Sequence, residues 1–213
     1  VCICRGGAVM ALASMGVDAA EAVGAVTDAI EDEEPDVAAA AVLALGAVGK
    51  ETEGVLDTLQ EVLSGEDADL RPAAAAALGS MGEAAADAIP ALGDRLLSST
   101  QPAVYAMALA DIGPASVPVL IEGLSSESAV VREMSAAALA DLGPDASEAL
   151  VPLASRVGEE DPMARRAVLM AVVQIQPSTL DDVGQLVDDL DSDDVPRSIL
   201  SLIQLVHVGL EPS

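Results

Sequence analysis

Residues 71–82 read RPAAAAALGSMG, and this stretch decides the fold. Its apolar residues fall at i, i+3, i+4 and i+7, the spacing of one face of a helix. Alanine is the best helix former, and Gly82 stops the run where a left-handed backbone is wanted. Leu78 and Gly82 are one copy of a phrase, an aliphatic residue followed four positions later by glycine. The phrase recurs as Leu12 and Gly16, Leu45 and Gly49, Leu109 and Gly113, Leu139 and Gly143, and Leu205 and Gly209. Val172 and Gln176 keep the spacing without the glycine. Successive closing positions lie 33, 33, 31, 30, 33 and 33 residues apart. A fixed period of this size means stacked repeats, each a supersecondary unit that cannot bury its apolar face alone.

A second column confirms the register. Each unit continues into another amphipathic stretch, whose paired apolar positions are Val26/Ile30, Leu59/Leu63, Leu92/Leu96, Leu120/Leu124, Leu153/Val157 and Leu186/Leu190. Residues four apart share a helix face, so each unit is a helical pair. The first helices are rich in alanine, which allows close approach of their backbones and leaves little volume for rings. Pro90, Pro118 and Pro152 just precede the leucine column; proline is tolerated only in a first turn, so these second helices start late. The expected fold is all-α, a right-handed α-solenoid of about six and a half helical hairpins. It runs as one array over residues 1–213, in units 1–33, 34–66, 67–97, 98–127, 128–160, 161–193 and a partial 194–213.

The phrase extends upstream. Arginine stands seven residues before the aliphatic position at Arg5, Arg71, Arg132 and Arg165, with Ala38, Pro102 and Ser198 breaking the column. Four residues earlier stand Glu34, Asp67, Asp161 and Asp194, interrupted by Ser98 and Ser128. An acidic turn, then arginine, then the leucine–glycine close resembles the short HEAT repeats of phycobilin-lyase-related proteins, over essentially the whole chain. The resemblance implies that Arg5, Arg71, Arg132 and Arg165 form a structural inter-repeat ladder with Asp67, Asp161 and Asp194. Tetratricopeptide arrays want Trp and Tyr landmarks and ankyrin arrays want T-P-L-H; both are missing.

Charge bounds the partners. The chain carries 36 acidic against 9 basic residues, a formal charge of −27, with Lys50 its sole lysine and Tyr105 its sole aromatic. Clustered Lys and Arg are needed to neutralise phosphates, so nucleic acid is disfavoured. Anionic membrane surfaces would repel the chain. The uncharged run 37–49 is 13 residues, short of the ~18 a spanning helix needs, and a cytoplasmic protein is expected. Acid-rich, lysine-poor composition on an apolar folded sequence looks like proteins of salt-in halophiles, where a Debye length of about 3 Å at 1 M salt screens self-repulsion.

Candidate chemistry is sparse. Two residues after each first column leucine stand Asp28, Glu61, Asp94, Glu122, Ser155 and Asp188. At about 100° per residue these face away from the apolar pair. In HEAT-like arrays the second helices line the concave surface, so Asp28, Glu61, Asp94, Glu122 and Asp188 would form an acidic stripe in an inner groove. Two readings stand: a site for a basic or amphipathic protein segment, and simple solvation of an acidic surface. Tyr105 falls where the period is broken, by an entry two residues short and an exit three residues short. It either shapes the groove as a contact or fills a packing gap.

No enzyme is expected, and no cofactor or metal. His207 has no local acid, which argues against triads and H-E-x-x-H zinc sites. Deoxyhypusine hydroxylase shares the HEAT-like fold, but its metal site requires His-Glu pairs that this chain lacks. Asp189, Asp191 and Asp193 open like a calcium loop, which needs Gly at its sixth position and Glu at its twelfth; here these are Asp194 and Leu200. Cys2 and Cys4 read as core-filling thiols. Both ends lack polar caps, so a fragment of a longer array is expected. The expected function is a non-catalytic scaffold or adaptor for a protein partner; the alternatives are an accessory factor to a cofactor-handling enzyme of bilin-lyase type, and a structural segment of a larger protein.

Overall fold

The computed structural model describes residues 23–49, 52 and 54–175, and every regular element among them is helical. First helices are α2 (Pro35–Val48), α4 (Arg71–Met81), α6 (Pro102–Ile112), α8 (Ala129–Leu142) and α10 (Pro162–Ile175). Second helices are α1 (Val23–Asp28), α3 (Val55–Ser64), α5 (Ile89–Ser98), α7 (Val117–Gly123) and α9 (Leu150–Ala154). The fold is an α-solenoid. Proline sits in the first turn of α2, α4 and α6 and of the second helices α5 and α7, where its missing N–H costs no helical bond.

The chain divides after Ala115 into two compact units. In the first, α2 packs on α4 and α4 on α6, while α3 lies against α4 and α5, and α5 against α6. In the second, α8 packs on α10, α7 on α8 and α9 on α10. The division falls inside the repeat whose spacing is irregular.

Both leucine columns form the core. Leu45, Leu78, Leu109 and Leu139 of the first helices are fully buried, as are Leu59, Leu63, Leu92, Leu96, Leu120 and Leu153 of the second. Each such side chain contributes ~1.5–3 kcal/mol by leaving water. Between them lie small residues. Gly46 of α2 faces Ala77 of α4, and a Cβ added at Gly46 would come within 2.5 Å of the Ala77 carbonyl oxygen and 2.7 Å of its Cα. Gly79 of α4 repeats the contact against Ala108 of α6, where a Cβ would lie 3.0 Å from its Cα.

The closing glycines depart from the expected left-handed cap. Gly82, Gly113 and Gly143 have φ of 61°, 109° and 57°, but ψ of −139°, −162° and −137°. Positive φ with such ψ is essentially restricted to glycine. It redirects the chain into a 3₁₀ segment, Gly82–Ala88 or Gly143–Ala149, which leads directly into the second helix. Ala85 and Ala88, and Ala146 and Ala149, are fully buried where these segments cross the core. The connection at Pro114–Ser116 is three residues long. It lacks one turn of 3₁₀ helix, which accounts for the short exit seen in the sequence. Gly49 differs, with φ −100°; there the glycine makes room for the Val55 side chain.

Ser135 of α8 is fully buried and its hydroxyl has no hydrogen-bond partner among the described residues. It stands four residues before Leu139, the position that Ala41, Ala74, Tyr105 and Val168 hold in other first helices.

The packing sets the expected stability of three variants. Gly46→Ala gains about 1 kcal/mol of helix propensity but drives a methyl into backbone, so a net loss of about 1–2 kcal/mol is expected. Gly24→Ala, with open space around it, should be neutral or stabilise by up to ~1 kcal/mol. Urea titration of both variants checks this, and equal midpoints would refute the close-approach argument. Ser135→Ala removes an unsatisfied buried hydroxyl and should stabilise by about 1 kcal/mol; a lower melting temperature would show that the hydroxyl has a partner.

Candidate interaction surface

The second-helix acids are exposed as their register requires. Asp28, Glu61 and Asp94 in the first unit and Glu122 in the second all face solvent. At α9 and the residue after it, also in the second unit, Val151 and Ser155 are exposed instead, Val151 at 62%. Asp188 lies outside the described residues. Exposed positions on the first helices have a different character. They include Leu43, Ala76, Met107, Val130, Met163 and Met170, with Met107 63% exposed, and acids appear mainly near helix ends as Asp36, Asp111 and Asp141. The acid is therefore unevenly distributed between the two helix faces.

Tyr105 belongs to neither exposed face. It lies in α6, a first helix, and is 4% exposed, so it is not part of the exposed acidic row. Its register, four residues before Leu109, points inward like Ala41 and Ala74.

The arginine column works differently from the expected ladder. Arg71 donates from Nε and Nη2 to the Gly65 carbonyl at 3.0 and 2.7 Å, and from Nη2 to the Glu66 carbonyl at 3.3 Å. Arg132 donates from Nη1 to the Ser126 and Glu127 carbonyls at 2.8 and 2.9 Å, and Arg165 reaches the Glu159 carbonyl at 3.5 Å. Each arginine thus fastens the turn six residues before it. The column acids serve the same turns locally. Asp67 accepts from the Asp69 N–H at 2.9 Å, and Asp161 caps α10 by accepting from Met163 and Ala164 at 2.9 and 3.0 Å. Arg71 forms no ion pair with Asp67, because the guanidinium is turned onto carbonyls and the carboxylate onto an N–H. Arg5 and Asp194 lie outside the described residues.

Among the described residues one ion-paired rung joins Arg132 to Glu159, near the two ends of the 128–160 unit and two residues before the column's Asp161. Nε and Nη2 reach Oε2 and Oε1 at 2.6 and 2.7 Å, a bidentate pair with side chains only 15% and 7% exposed. The hydrogen bonds from Arg132 hold the Glu159 carboxyl below the usual glutamate range, against the opposing effect of burial. Arg132 is raised, first by its bond to Glu159, with the charge of Asp161 adding to the effect. Sequence reading missed both Glu159 and Arg95. Arg95, in the last turn of α5, donates from Nε to the Leu63 carbonyl at 3.1 Å and from Nη2 to the Ser64 carbonyl at 3.2 Å, clamping the end of α3. The available signal was a lone cation three residues after Leu92 on an otherwise acidic second helix.

A model of HEAT repeats matches residues 3–63, 89–172 and 117–203. The chain belongs to the HEAT-repeat family. No curated protein sequence matches it. Two solved structures of engineered proteins are similar in fold. One is 19% identical with a TM-score of 0.53, the match covering 88% of this chain and 97% of the other. The second is 21% identical with a TM-score of 0.55, covering 95% of this chain and 64% of that one. Human deoxyhypusine hydroxylase in complex with glycerol aligns over 98% of this chain and 81% of its own at 22% identity, but with a TM-score of 0.41 it carries no argument.

Within this HEAT array the described residues contain no group of three or more His, Cys, Asp or Glu able to hold a metal ion. No helix among them is long and apolar enough to cross a membrane. Cys2, Cys4, His207 and the 189–193 aspartates lie outside the described residues.

The rung between Arg132 and Glu159 has a testable pH signature. A carboxyl depressed in the folded state stabilises fully above its unfolded value of about 4.3. That stabilisation is lost as pH falls through the lower folded value. Glu159→Gln should cost about 2–3 kcal/mol near neutrality, with the gap to wild type closing in acid. Melting temperatures from about pH 7 to pH 3 check this, and a pH-independent gap would refute it.

Proposed function

We propose that the chain is a non-catalytic scaffold whose second-helix face holds a basic segment of a partner protein. The carrying observation is the uneven placement of acid. Uniform salt solvation would put carboxylates on every exposed helix face, yet mid-helix exposed positions of the first helices include Leu43, Ala76, Met107 and Met170, with exposed acids there at Asp36, Asp111 and Asp141 near the helix ends. Asp28, Glu61 and Asp94 instead hold one register on the second helices of the first unit, the face that lines the inner surface in HEAT arrays, and Glu122 holds the same register on α7 of the second unit. Rows of like charge raise the local concentration of an oppositely charged partner and speed its encounter. A cytoplasmic setting and high-salt adaptation fit the composition, and both belong to this reading.

Capture from native lysate across a range of salt tests the proposal with two folded variants. One changes Asp28 and Asp94 to Asn and Glu61 and Glu122 to Gln. The other changes Leu43, Met107, Met163 and Met170 to Ser. A partner kept by the second variant and lost by the first is expected, with affinity falling as salt rises. Loss only in the second would move recognition to the first-helix face, and equal capture by both would return the acids to solvation.

A further inference from the structure

A groove of about 270 Å³ runs between α8 and α10 in the second unit. Ala137 and Ala140 of α8 and Ala167 of α10 line it, buried or half-buried, and Met163 and Met170 of α10 flank them at 56% and 41% exposed. Its charged residues are Glu133 and Asp141 on α8 and Arg166 on α10. We propose that this groove is a contact between two copies of the chain, in which α10 of each copy lies antiparallel to α10 of the other and reaches the other's α8.

Charge and register both point to a second copy. The side chains of Glu133, Asp141 and Arg166 make no hydrogen bond or ion pair among the described residues. Both signs therefore remain for a partner, the self-complementary set that an isologous contact requires. Met163 and Met170 are seven residues apart. A two-fold axis at their midpoint, between Arg166 and Ala167, sets each Met163 against Met170 of the other copy. Ala167 then stands at the crossing, where a small side chain lets helices approach to about 8 Å. The same axis places the charges. Glu133 and Arg166 hold equivalent positions, six residues before Leu139 and Val172, on first helices that pack side by side. They stand at one level, and the two-fold brings Arg166 of one copy to within one residue, about 1.5 Å along the helix, of the level of Glu133 of the other. A guanidinium and a carboxylate so placed can form a bidentate pair. The axis that matches the methionines therefore also matches opposite charges.

Methionine side chains adapt to a surface of small residues, which suits them to this contact. Size and net charge limit its strength. α8 and α10 have 14 residues each, a length of about 21 Å, so the face is at the small end of specific interfaces. Two chains of formal charge −27 also repel each other. Association is therefore weak in dilute salt and strengthens as salt screens that repulsion. A basic segment held by the second-helix acids would weaken under the same change, so the two contacts differ in the sign of their salt dependence. The inference is independent of the acidic second-helix face.

Sedimentation equilibrium of the full chain, over a range of protein concentration and in chloride from about 0.1 to about 1 M, tests this. A reversible monomer–dimer equilibrium is expected, tighter at the higher salt. Symmetry makes each substitution act twice, so Arg166→Glu should weaken the dimer at least about tenfold. Adding Glu133→Arg to it should restore most of that loss. Met163→Ser combined with Met170→Ser should leave monomer, while Met107→Ser, on a first helix of the first unit, should leave the equilibrium unchanged. Circular dichroism melts check that each variant folds. Should the double methionine variant fail to fold, the charge exchange carries the test, since Arg166 is exposed and Glu133 half-buried. A wild-type chain that stays monomeric at every salt and concentration would overturn the proposal and leave the groove to a helix of another protein. A dimer that Arg166→Glu does not weaken would overturn it as well, by placing the contact elsewhere on the chain.

Discussion

The structure depends on how closely successive first helices can approach. Gly46 against Ala77 and Gly79 against Ala108 bring helix backbones to a separation at which an extra methyl meets main chain rather than a movable side chain. Everything else adapts to that spacing. Leucines interdigitate on either side of the small-residue seam, and no aromatic ring is needed to fill the interior. Tyr105 is the exception that fits the rule. It occurs in the repeat whose connections are shortened, and it occupies a position where Ala41 and Ala74 stand in the regular units.

Close packing of helices concentrates the problem of unsatisfied backbone at the turns, and the arginines meet it there. A helix end exposes carbonyls without intrahelical partners. Arg71, Arg132 and Arg165 each reach back six residues to such carbonyls, while Asp32, Asp67, Ser99, Ser126 and Glu159 accept N–H groups two residues ahead in the same turns. The turn is therefore closed from both sides by side chains in fixed register. Where serine replaces aspartate the geometry survives, since either supplies an acceptor oxygen at the right distance. The sequence column of acids looked broken at Ser98 and Ser128, but the turn chemistry is continuous one or two positions away.

That shift explains what could and could not be read beforehand. Periodicity specifies which residues face inward, because a helix repeats every 3.6 residues and the repeats every 30 to 33; Leu59, Leu92, Leu120 and Leu153 are accordingly all buried. Glycine at the close of α4, α6 and α8 was legible as positive φ. Its ψ was not, since that depends on the 3₁₀ segment into which the chain must turn. Partner choice within a turn was also hidden. Glu159 and Asp161 are two residues apart with the same charge, and only the backbone path decides that Glu159 meets Arg132 while Asp161 caps α10. Arg95 was missed because its partners are carbonyls of the preceding repeat, which leave no trace in side-chain sequence.

The same geometry separates two roles for charge that composition merges. The described arginines of the repeat column are engaged with backbone and leave the surface field to the acids. The acids divide in turn: acids in the turns hold N–H groups or Arg132, while the side chains of Asp28, Glu61, Asp94 and Glu122 make no hydrogen bond or ion pair among the described residues. A carboxylate that accepts from its own turn has spent its lone pairs on structure and can be replaced by serine, as Ser99 and Ser126 show. Asp94 and Glu122 have no such local task. Their register is therefore free of the turn chemistry, and on the proposed reading it answers to a partner of opposite charge.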